Sequence, residues 1–169
     1  AIHITVEVNV SRGMHFTMVG LPDNAVKESH DRIITALQNT QLTMPSMKTV
    51  VNLAPADVKK EGAGFDLPIA IGMLAANGAC RADRLARFML IGELGLDGSL
   101  KPVRGALSIA IKARAMHFDG LIVPQDNARE ASVVNNLNVY GMESLRQVVD
   151  FLNANIEVER VHTDTSAEF

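Results

Sequence analysis

Residues 67–78, LPIAIGMLAANG, decide how this chain folds. The run is apolar and short, and over a dozen positions periodicity alone does not separate a buried helix from a buried strand. Pro68 favours a helix, because proline suits a first helical turn, and the alanines and methionine that follow are helix formers. Asn77 and Gly78 then provide a stop. The stretch therefore predicts a buried helix. The glycines just before it, in KKEGAGFD (residues 59–66), invite comparison with loops that cradle phosphates.

Upstream, KTVVNLAP predicts a strand. Asp23 or Asn24 offers an N-cap for a helix over Asn24–Asn39, with Val26, Ile33, Ile34 and Leu37 at helical spacing. Ile2–Val10 alternates apolar and polar residues as a half-buried strand does, and HFTMVG resumes after the turn SRGM, so the two predict a hairpin. Downstream, RFMLIGELGLDGSLKPVRG predicts two strands around the Asp97–Gly98 turn. GALSIAIKARAMHF reads as a helix with Leu107, Ile111 and Ala115 along one side. GLIVP is a short buried strand, AREASVV a short helix, NVY a strand and ESLRQVVDFLN a final helix. The fold class is α+β (mixed α/β), a mixed sheet covered by helices.

A chain of 169 residues, 47% of them apolar, suits one domain with an ordinary core. One cysteine, Cys80, rules out an intramolecular disulfide framework, and no cleavable leader or spanning run is visible, so the expected location is cytoplasmic, away from membranes. The net charge is −3, aromatics are 4% and tryptophan is absent, a poor footprint for gripping nucleic acid unaided. The chain starts at an alanine within a strand pattern and ends in a polar run without clear periodicity. Both ends read as those of one domain cut from a longer protein, with residues 154–169 a linker.

Specific chemistry is hard to place. A phosphate loop of the form GxxxxGK[ST] is excluded because no glycine precedes a lysine. GxGxxG fails where Gly62-Ala63-Gly64 runs on into Phe65-Asp66-Leu67. The histidines at 3, 15, 30, 117 and 162 lack metal-ligand spacing, and His30 reads as a hydrogen-bonded structural residue on its helix. Cys80 reads as a small buried or semi-exposed residue rather than a reactive thiol, and Met14, Met18, Met73 and Met116 as core filler. Ser108 and Lys112 share a helical face and could form a nucleophile and base, but no oxyanion loop or third group accompanies them. The expected sets of catalytic, cofactor-binding and metal-binding residues are therefore empty.

Four phrases together go beyond pattern: FTMVGLPDNAVKESHDRI, VNLAPADVKKEG, FDLPIAIGMLAA and IGELGLDGSLKPVRGAL. In order and spacing they resemble the N-terminal domain of the Mg-chelatase-subunit-I-related AAA+ ATPases, the ComM/YifB family, as far as about Asn153. That domain is similar in turn to the proteolytic domain of Lon and to the C-terminal domain of RadA, within the ribosomal protein S5 domain 2-like fold. The resemblance implies a Lon-protease-like domain over 1–153 and a linker over 154–169 toward an AAA+ module. ATP and Mg2+ would be bound by that module, with no cofactor in this chain.

The Lon likeness also implies positions for a catalytic dyad. Aligning Lon's serine loop, KDGPSAG, on KKEGAGFD puts Gly64 at the nucleophile, and aligning LPxGGLK on KPVRGAL puts Leu107 at the lysine. Glycine cannot attack a carbonyl and leucine cannot hold a proton, so the resemblance implies a catalytically silent accessory domain. Its partners would be its own AAA+ module and neighbouring subunits of a ring, a hexamer in this family. DNA would be reached through the parent protein, in recombination of incoming strands during natural transformation. Lys59, Lys60, Arg12 and Lys101 would supply phosphate contacts if several copies lined a channel, against the plainer reading of solvated surface charges. Two alternatives stay open: an ATP-dependent peptidase using another residue such as Ser108, and a Mg-chelatase-type ATPase.

Overall fold

A computed structural model describes residues 5–11, 16–19, 23–42, 48–54 and 64–161. Two three-stranded sheets and a small hairpin carry six helices among the described residues. The first sheet holds β1 (Thr5–Ser11), β2 (Phe16–Val19) and β3 (Lys48–Ala54) in the order β1-β3-β2. The expected hairpin between the first two strands is not formed. β3 lies between them, antiparallel to β1 and parallel to β2, so each strand takes its hydrogen bonds from β3. A local turn signal loses here to a seven-residue ladder with a strand that is distant in sequence.

α1 (Asp23–Asn39) bridges β2 and β3 in the chain, and α2 (Asp66–Ala76) is the helix predicted from Pro68. It packs against β1 and α1. Leu67, Ile69, Ala70, Ile71, Met73 and Leu74 are buried nearly all round its circumference, which is why the run shows no periodicity. A short α3 (Ala82–Leu85) follows.

The second sheet is parallel, in the order β4-β7-β8: Phe88–Leu90, Gly120–Pro124 and Asn138–Met142. Side chains of its strands alternate between two apolar clusters. Leu121, Val123 and Val139 point to one, beneath α4 (Ala106–Ala115) and α5 (Gln125–Ala131). Phe88, Ile122 and Met142 point to the other, with α1, α2 and α6 (Leu145–Leu152). A parallel sheet covered on both faces needs strands that are apolar on both sides, which GLIVP supplies. α6 opens with a paired cap: Ser144 Oγ accepts from Gln147 N–H at 3.1 Å, and Gln147 Oε1 accepts from Glu143 N–H at 2.8 Å.

Between β4 and α4 lies the hairpin of β5 (Glu93–Leu94) and β6 (Leu100–Lys101). The expected pair of strands around Asp97–Gly98 is this one, and β4 is a separate strand before it. Gly98 N–H donates to Gly95 C=O at 2.9 Å, and Gly98 has φ +86°, the left-handed residue that closes such a three-residue loop. The tip is fastened to α1, where Asn39 Nδ2 donates to Leu96 C=O at 2.7 Å. Arg146 of α6 donates to Thr40 C=O, and Leu145 N–H donates to Gly98 C=O at 2.8 Å. After α6, Ala154–Val161 runs back along the second sheet, and Val161 N–H donates to Val139 C=O at 2.7 Å.

Candidate functional site: the Gly64 and Leu107 neighbourhood

Asp66 is the first residue of α2 and is 1% exposed. It is the only charged residue between Gly62 and Cys80. An ionised carboxylate at that depth is tolerable only with its lone pairs occupied. Ser29 Oγ donates to its Oδ1 at 2.8 Å, and Arg32 forks across both oxygens, Nε to Oδ2 at 2.6 Å and a terminal nitrogen to Oδ1 at 3.1 Å. Leu94 N–H donates to Oδ2 at 3.1 Å. The bidentate bond to Asp66 raises the Arg32 guanidinium above its already high ordinary pKa, against the opposing effect of partial burial. Helix α1, helix α2 and strand β5 thus meet at one carboxylate.

Gly64 lies two residues earlier. Its C=O accepts from Gly92 N–H at 3.0 Å, while Leu67 N–H donates to Gly92 C=O at 3.0 Å, so the entry to α2 pairs with the chain between β4 and β5. A Cβ at Gly64 would lie 3.2 Å from the Ile91 side chain and 3.6 Å from Val103 Cγ1. Val103 is itself held by a buried asparagine: its N–H donates to Asn127 Oδ1 and its C=O accepts from Asn127 Nδ2, both at 2.9 Å. Leu107 follows in the first turn of α4. The structure thus places Gly64 against Val103 in the segment that leads into α4, where Leu107 is 38% exposed.

Ser108 is exposed and Lys112 half-buried on the same helix, and neither side chain hydrogen-bonds to a described residue. Lys101 is exposed on β6. Arg12, Lys59, Lys60, His3, His15, His162 and Met14 lie outside the described residues. No group of three or more His, Cys, Asp or Glu side chains suited to a metal occurs among the described residues. No described helix is long and apolar enough to cross a membrane.

The His30 side chain is 38% exposed, with Nδ1 3.4 Å from Asp31 Oδ1. Met73 is buried as expected, but Met116 is 36% exposed and fills no core. Cys80 is buried, and burial pushes its thiol up to about 11.

A separate open groove of about 390 Å³ is lined by Arg84, Arg87, Phe88, Tyr140 and Phe151 together with Ala154 and Ile156 to Val158. Its rings pack against one another with centroids 5.0–5.8 Å apart. Arg84 lies over Phe151 at 5.3 Å, and Arg87 Nε is bound to Asp119 Oδ2 at 2.7 Å. Its aromatic and cationic surfaces are largely used internally.

The polar residues that hold this neighbourhood together, Ser29, Arg32, Asp66 and Asn127, were not singled out from sequence. For Asp66 a signal existed: a lone acid inside an apolar run. It lies within FDLPIAIGMLAA, and its partners lie within two of the other phrases that carry the family resemblance, VKESHDRI for Ser29 and Arg32 and IGELGLDG for Leu94.

Comparison with known proteins agrees with those phrases. Residues 6–127 match the family described as Subunit ChlI of Mg-chelatase. The chain is 46% identical over 151 residues to the Competence protein ComM of Haemophilus influenzae, covering 89% of this chain and 30% of that protein. It is 42% identical over 158 residues to the protein YifB of Escherichia coli, covering 93% and 31%. A Mycobacterium bovis protein is 35% identical over 150 residues, covering 88% and 30%. The chain thus spans less than a third of the length of these curated relatives. By these matches the chain belongs to the ChlI family of Mg-chelatase-related proteins, alongside ComM and YifB.

Proposed function

We propose that this chain is a Lon-protease-like accessory domain, without catalysis of its own, of an AAA+ ATPase. The observation that carries this reading is the pair Gly64 and Leu107. Gly64 lies against Val103, four residues before Leu107, and neither aligned position supplies a nucleophile or a base, which supports a silent domain. The polar groups nearby are engaged in joining elements: Asp66 has its four donors and Asn127 has Val103. The S5 domain 2-like classification belongs to the same proposal.

The parent protein, on this reading, hydrolyses ATP with Mg2+ in a module outside this chain. It works as a ring, a hexamer, in the cytoplasm. The name of the Haemophilus relative, a competence protein, supports a role in natural transformation. The activity proposed is ATP-driven migration of branched DNA during recombination, with this domain supporting ring assembly or guiding the DNA. Purified parent protein with and without residues 1–153 tests the reading on a synthetic four-way junction, with ATP hydrolysis as the control for an intact motor. Loss of junction migration with hydrolysis retained is the expected result. Undiminished migration without the domain would overturn it.

A further inference from the structure

Helix α4 is packed inside out. The side chains it buries against the second sheet are the small ones, Ala106, Ala110 and Ala113, each 0% exposed. Its large aliphatics face away, Leu107 at 38% and Ile111 at 47% exposure, one turn apart. The side that carries Leu107, Ile111 and Ala115 is therefore the outer one. Alanines let the helix approach the sheet closely, while a solvated face has no use for adjacent leucine and isoleucine.

Charge is segregated at the same place. From Ser99 to Phe118 there is no acid, and Lys101, Arg104, Lys112 and Arg114 are the bases, which leaves twelve bases against nineteen acids in the rest of the chain. Among the described residues, an acidic and apolar strip follows α6: Ile156 is 38% exposed, with Glu157 and Glu159 exposed beside it. Three bases adjoin that strip and each is engaged within the chain: Arg160 with Asn138 Oδ1 at 2.9 Å, Arg87 with Asp119 Oδ2 at 2.7 Å, and Arg84 over the Phe151 ring. The strip borders the cluster of Phe88 and Phe151, whereas α4 covers the cluster on the other face of the sheet. The two surfaces belong to opposite faces and are complementary in charge and in aliphatic character.

We propose that the outward face of α4 binds a second copy of this chain through the neighbour's Ile156–Glu159 strip. Such a contact is heterologous, since different patches meet, and repeats head to tail into a ring or a filament. It stands independently of the motor reading, because it uses no property of ATP or DNA. Aliphatic side chains at the centre favour a protein partner over a phosphate backbone, which would need only the bases.

Sedimentation of the 169-residue chain tests this, with circular dichroism to confirm folding. The wild type should associate reversibly, more weakly at high salt. Ile111→Glu should weaken association roughly tenfold or more, since it places a like charge in the contact. A Lys112→Glu, Arg114→Glu chain and a Glu157→Lys, Glu159→Lys chain should each stay monomeric and associate when mixed, alternating head to tail. A wild type that stays monomeric at every concentration would overturn the proposal. So would association indifferent to Ile111→Glu, failure of the mixed pair, or Ile111-dependent binding to duplex DNA or to anionic lipid vesicles in place of self-association.

Discussion

Asp66 and Leu107 both stand in the first turn of a helix that follows an irregular segment, and their surroundings are opposite. Asp66 is 1% exposed and accepts four hydrogen bonds from two other elements; Leu107 is 38% exposed at the start of a helix whose inner face is alanine. A hydrolytic site would have put its polar side chains where a substrate could reach them. Here the polar side chains that join the helices are sealed inside, and Leu107 presents an aliphatic side chain beside the exposed Ser108. The contrast locates polar chemistry at a joint between helices and leaves the surface for contact with something else.

The sharpest way to break this comparison is to remove the joint. Asp66→Ala should cost about 3–5 kcal/mol in chemical denaturation, because Arg32, Ser29 and the Leu94 N–H lose their acceptor together. A cost under about 1 kcal/mol would show that the node is peripheral. Gly98→Ala comes next, at about 1–3 kcal/mol, since φ +86° strains any other residue and the added Cβ would collide with the Thr40 methyl.

Gly64→Ser should cost about 1 kcal/mol, as the new Cβ pushes on Ile91 at 3.2 Å, and should create no peptidase activity. Leu107→Lys should change stability by less than about 0.5 kcal/mol, as expected for an exposed site. The smallest effect near neutral pH concerns Cys80. Its raised thiol pKa means that the unfolded chain loses the thiol proton first. Stability should therefore decline as pH rises from about the ordinary thiol range toward about 11, and a thiol-specific reagent should label the native protein slowly at neutral pH.

Much of the second half was legible because local signals and tertiary structure agree there. Pro68 and Asn77-Gly78 bracket α2, Asp97-Gly98 marks the β5–β6 turn, and the apolar run of GLIVP yields a buried central strand. The β1–β2 hairpin failed because strand pairing is decided by the whole sheet, and β3 offered both neighbours a ladder that a glycine turn does not reveal. Which side of α4 faces the sheet was not legible for a related reason. Leu107 and Ile111 obey helical periodicity, but the sheet beneath has room only for alanine methyls, so the period predicted the helix and not its orientation. The buried carboxylate could have been suspected from its isolation in an apolar run. Its partners could not, because Arg32 is 34 residues and Leu94 28 residues away in sequence.

The central claim is that a domain carrying glycine at position 64 and leucine at position 107 performs no peptide hydrolysis. The most direct test is turnover of an unfolded protein substrate by the full-length parent in the presence of ATP and Mg2+, alongside its Ser108→Ala variant. The account predicts no release of peptides from either protein above background. ATP-dependent release by the wild type that disappears in Ser108→Ala would contradict it.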